Sequence, residues 1–147
     1  QWELYILSMC LVTDVELSPD DAVELDARAV RARATSLLRE ILSDPAPRQR
    51  DIPTLMAFAA AVGLSAVAAE DAGPDRRAVG AELVATALAV GTNQTCRLLS
   101  HDYLRSRTER LDALALAQAE ERIRSLDRGG LVVHAADLAG RLAGEVG

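Results

Sequence analysis

Lysine is absent from this chain, and aromatic side chains are limited to Trp2, Tyr5, Phe58 and Tyr103. The missing lysine excludes a GxxxxGK[ST] phosphate loop, and no GxGxxG occurs either, so nucleotide binding has no motif to rest on. The sixteen arginines are dispersed rather than gathered at one fork-binding site, so their replacement of lysine reads as a GC-rich coding bias. Scarcity of rings excludes a core built by aromatic stacking. Cysteine is also scarce: Cys10 and Cys96 stand far apart in apolar surroundings with no CxxC, and both are expected to be reduced core residues.

What remains is alanine, 27 residues of 147, in a chain that is 50% hydrophobic. Alanine has the highest helix propensity and the smallest side chain that still favours a helix, so the composition predicts helices that approach closely. The length suits one domain with a core that needs no disulfide or metal. The expected fold is an all-α, single-domain bundle of about five helices around a central, buried, Ala-rich helix.

Net charge is −6, which opposes broad attraction to phosphate backbones or anionic lipid, and no nucleic-acid or membrane partner is expected. The acids Asp14, Glu16, Asp20, Asp21, Glu24 and Asp26 fall in one stretch without a base, whereas Arg97, Arg105, Arg107 and Arg110 cluster later. Asp102 and Glu109 interrupt that basic cluster, which reads as a salt-bridged helix surface. Leu4 to Val12 lacks a basic leader and a cleavage site, and the chain is expected to be cytoplasmic.

Along the chain, Trp2 to Val15 suits a strand by content and a helix by the spacing of Trp2, Tyr5, Ile6 and Met9; a helix or packing arm is preferred. Ser18-Pro19-Asp20-Asp21 carries a cap, a proline for the first turn and two acids for the positive helix end. Behind it Val23, Ala27, Val30, Ala34, Leu37 and Ile41 form a heptad-like seam, widened by Leu38 and Leu42, and assigned here to a partner or oligomer interface. Asp44-Pro45-Ala46-Pro47 ends that helix.

Ile52 to Ala69 is 18 residues without a charge. Its length fits a membrane span, but Pro53, Gly63, Ser65 and the many alanines favour a central buried helix, with Ala59 and Gly63 admitting a close neighbour. The break at Asp71-Ala72-Gly73-Pro74-Asp75 precedes a helix ended by Gly91. Thr92 or Ser100 caps the next, a long amphipathic helix with a bend expected near Ser106 to Thr108, stopped by Gly129-Gly130. In the last segment Ala136, Gly140 and Gly144 form a second small-residue ladder where close helix contact is expected.

No residue set specifies catalysis. His101-Asp102 matches the metal-binding pair of HD-type phosphohydrolases, but that site needs more histidines than the one other present, His134. A helix opened by Ser100 explains the same residues. Carboxylate-bridged di-iron bundles need Glu-x-x-His, which does not occur, so His134 and Asp137 read as an amphipathic surface. Cys96 near His101 lacks any specified activating group. Glu120 and Glu121 diverge on a helix and suit pairing with Arg124.

The leading expectation is therefore a non-enzymatic helical interaction or regulatory module, a homo-oligomer or the binder of a protein partner, with no cofactor. The alternative is a domain binding a small apolar ligand in a pocket using Met56, Phe58, His101, Tyr103 and His134. A metal-assisted hydrolase using His101 and Asp102 is the third.

Overall fold

The computed structural model describes residues 2–16, 27–43, 52–92 and 96–146. Over these residues the chain forms six α-helices: α1 Trp2–Glu16, α2 Ala27–Leu42, α3 Ile52–Ala68, α4 Pro74–Val90, α5 His101–Ile123 and α6 Arg128–Val146, with a single 3-10 turn at Arg97–Leu99. No strand occurs among the described residues, so the all-α expectation holds.

The first segment is a helix because Leu4, Leu7, Ser8, Leu11 and Val12 make one i, i+3, i+4 stripe, turned to the core. Of the residues whose spacing suggested a helix, Met9 packs against the core while Ile6 is 56% exposed. Ser8 reaches the interior because its hydroxyl donates to the Leu4 carbonyl at 2.6 Å.

Helix α3 is the centre, and it packs against all five other helices. Its uncharged sequence has no polar face to turn outward, and every side chain from Leu55 to Val67 is buried. Its tightest contact is with α4 at a glycine-to-glycine crossing: a Cβ on Gly63 would lie 2.6 Å from the Gly80 carbonyl oxygen, and one on Gly80 would lie 2.8 Å from that of Gly63. The expectation of close approach at Gly63 is met. The second ladder differs, because a Cβ on Gly140 or Gly144 would meet nothing within 4 Å. Among the described residues no helix is long and apolar enough to cross a membrane.

Local chemistry sets the helix ends. Pro74 opens α4 behind an extended Gly73, and Gly91, at φ 117°, closes it by donating its N–H to the Ala87 carbonyl. Ser100 caps α5 by accepting from the Tyr103 N–H, while Thr92 turns to the Leu99 carbonyl instead. Gly129 and Gly130 stop nothing: they sit in the first turn of α6, whose cap is Asp127, accepting from the Gly130 N–H at 2.7 Å. Residues 124–127 make the preceding turn.

Helix α5 is not straight. Asp112 alone leaves helical geometry (φ −157°, ψ 82°), and its carboxylate accepts from the Ala115 N–H at 3.0 Å, so it caps the second half. The break thus falls at Asp112 rather than near Ser106 to Thr108, where Thr108 simply donates back to Leu104 within an unbroken turn. The two halves fold toward one another. Arg105 grips Glu120, 2.9 Å away although 15 positions on, a separation of about 22 Å in a straight helix.

Candidate functional site

The residues singled out in the sequence do not converge. Met56 and Phe58 are fully buried in the core, apart from His101. Tyr103 is half-buried against that core near the start of α5. His101 is exposed beside Asp102, with Nδ1 and Oδ1 3.7 Å apart. Among the described residues no group of three or more His, Cys, Asp or Glu side chains is placed to hold a metal, so the geometry adds no ligand to His101 and Asp102.

The α2 seam divides. Val23 lies outside the described residues, and Ala27 begins the helix. Ala34 is fully buried within the chain itself, as is Leu38, because α2 packs against α6, α3 and α1. Val30, Leu37 and Ile41 are only half-buried along the flank of that contact. The acidic run and proline-rich stretch on either side of α2, 17–26 and 44–51, lie outside the described residues.

The cysteines are both free, and Cys10 is exposed rather than in the core. It follows the helix register: Leu11 and Val12 take the inner side, and Cys10 faces out. Half-buried Cys96 has its sulfur 3.5 Å from that of Met9, tying the turn before α5 to α1.

The polar cluster that the structure does assemble centres on Glu82. This α4 residue is 6% exposed, and its carboxylate meets Arg122 Nε of α5 on one oxygen and His134 Nε2 of α6, at 2.8 Å, on the other. Burial pushes the carboxyl pKa up, but hydrogen bonds from Arg122 and His134, reinforced by their charge, hold it below the ordinary glutamate value. Helices α5 and α6 both pack on α4 with little direct contact between them, so Glu82 is the post to which both are fastened. His134 was read beside Asp137; it turns away from that exposed residue, and Glu82 was not singled out at all. The available signal was its isolation: Glu82 is the one charged residue between Arg77 and Arg97. A single acid in an apolar helix needs a partner from elsewhere in the fold.

Beside this post lies a groove of about 480 Å³ between α4, the two halves of α5 and the start of α6. Its apolar lining includes the buried Leu88, Leu116, Ile123 and Leu131. His101, Arg105, Glu120 and Arg124 supply its polar lining. Arg105 bonds Glu120 and Glu109, which raises its pKa further, and Arg124 pairs with Glu121 at 2.9 Å. The Glu121 to Arg124 pairing follows the helix spacing, whereas that of Glu120 depends on the α5 bend.

The chain is thus a six-helix bundle over the described residues, with a buried carboxylate clamp beside a mixed apolar and charged groove. No known protein family, curated protein or solved structure matches it.

Proposed function

We propose that the chain is a non-enzymatic helical interaction module that binds a second copy or a protein partner along the outer flank of α2. The observation that carries this reading is the division of the α2 stripe. After the chain's own helices have covered Ala34, Leu38 and Leu42, Val30, Leu37 and Ile41 remain half-exposed at i, i+7 and i+11, the spacing that a partner helix would use. Arg33, Ser36, Arg39 and Glu40 beside them are exposed and supply a polar rim.

Two substitutions separate flank from core. Leu37→Glu places a charge on the flank and is expected to reduce the molar mass found by light scattering to that of one chain, with cooperative thermal unfolding retained. Ala34→Glu buries a charge inside the chain and is expected to abolish cooperative unfolding. A wild-type chain that is monomeric at all concentrations and captures no partner would exclude the reading.

A second reading is favoured by the groove, whose volume lies in the range of small-molecule sites. An amphipathic ligand would set its apolar body on Leu88, Leu116 and Ile123 and its polar end near His101 and Arg105. Such a ligand, screened from a panel of apolar and amphipathic compounds, is expected to raise the melting temperature of wild type and not of Leu116→Ala. A flat response across the panel would remove this alternative.

A further inference from the structure

We infer that two copies of this chain can exchange residues 113–146, with Asp112 as the hinge and a straightened α5 as the connection between them. The inference goes beyond the α2 reading, because it names the second copy as partner and uses surfaces that the single chain already buries.

Local sequence and tertiary structure disagree at the hinge. From Arg105 to Ile123 there is no glycine or proline, and Ala113, Ala115, Ala117 and Ala119 follow Asp112 directly. Such a run favours one continuous helix. The break has one non-helical residue, held locally by the Asp112 carboxylate on the Ala115 N–H. Further contacts that hold it are distant in the chain: Arg105 on Glu120, Ala115 packed with Val67 and Ala81, and Glu82 on Arg122 and His134.

Returning Asp112 to helical geometry would make α5 a single helix of 23 residues, about 34 Å long. Residues 113–146 would then leave their own α4 and find the same surface on a second copy. Arg105 would meet the other copy's Glu120, and Glu82 the other copy's Arg122 and His134. Every contact between residues 113–146 and the rest of the chain is made again between chains, the Asp112 cap gives way to continuous helix at the two hinges, and association entropy opposes the exchange. Short hinges between well-packed elements are where swapping arises.

The test uses the full chain. Asp112→Ala removes the cap and installs the best helix former, and it is expected to raise the dimerisation constant by roughly tenfold or more, measured by light scattering across a concentration series. Asp112→Gly, a poor helix former, is expected to leave the dimer fraction at or below that of wild type. To identify the exchange, copies carrying Arg105→Cys and copies carrying Glu120→Cys, all with Cys10→Ser, Cys96→Ala and Asp112→Ala, are refolded together and treated with a short bismaleimide. Exchange predicts a cross-linked species containing one chain of each kind. A dimer without that species overturns the exchange while leaving the α2 reading intact, and a monomer at every concentration also overturns it. If Asp112→Ala fails to fold, the two cysteine copies with Asp112 retained, refolded together at high concentration, give the same readout with the same meaning.

Discussion

Gly63→Ala should destabilise the protein by about 2 kcal/mol, although alanine is the better helix former by about 1 kcal/mol in a helix interior. The new methyl would stand 2.6 Å from the Gly80 carbonyl oxygen and 2.9 Å from a Val84 methyl, and the nearest of these is backbone that cannot rotate aside. Either α3 and α4 separate, opening the central contact of the bundle, or the clash remains. Both outcomes exceed the propensity gain. A loss of this size corresponds to a fall in Tm of about 4–8 °C for a chain of this length, measurable by calorimetry. Gly140→Ala is the control with opposite sign: the same substitution in α6 meets nothing within 4 Å, so it should raise stability by up to about 1 kcal/mol. If both variants changed stability in the same direction, the glycine crossing would not be the contact that sets the α3 to α4 distance.

Glu82→Gln should remove roughly 1.5–3 kcal/mol at neutral pH, the range for a hydrogen bond to a charged group, with Arg122 and His134 left facing a neutral amide. Arg122 is about half exposed, which moderates the loss because water can still reach it. The pH dependence has a definite sign. The folded-state pKa of Glu82 is depressed, so its contribution is fully present above the unfolded value near 4.5 and is lost as pH falls through the lower folded value. Wild type and Glu82→Gln should therefore differ most at neutral pH and converge in acid below pH 4.5. Denaturant melts at several pH values check this. A gap that stayed constant into acid would show that the ionised carboxylate is not what fastens α5 and α6. Glu82→Leu is the informative companion, since an apolar residue at a buried ion pair is often tolerated better than a half-broken pair.

The helical class, the central position of α3 and the Gly63 contact were all legible because each depends on what neighbours in sequence can do: alanine propensity, an uncharged run, a missing side chain. The caps at Ser100 and Gly91 were legible for the same reason. The bend at Asp112 was not. Its flanking residues favour a straight helix, and contacts that keep it bent, such as Arg105 on Glu120, are made through space. The glycine pair at 129 and 130 misled because glycine ends helices more often than it begins them, whereas here Asp127 supplies the cap that outweighs it. Glu82 was hidden by distance: its partners are 40 and 52 positions further on. The α2 stripe was visible as a stripe, but the share of it that the chain covers itself depends on where α6 returns, and periodicity carries no information about that.

That return of α6 to α2 also orders events during synthesis. Helices α3, α4 and α5 can pack on one another as they emerge, since each follows its main neighbour closely in the chain. The face of α2 that meets α6 is made well before the nineteen-residue α6 that covers it. A growing chain therefore leaves the α6-facing side of α2 without its cover until α6 itself has been made.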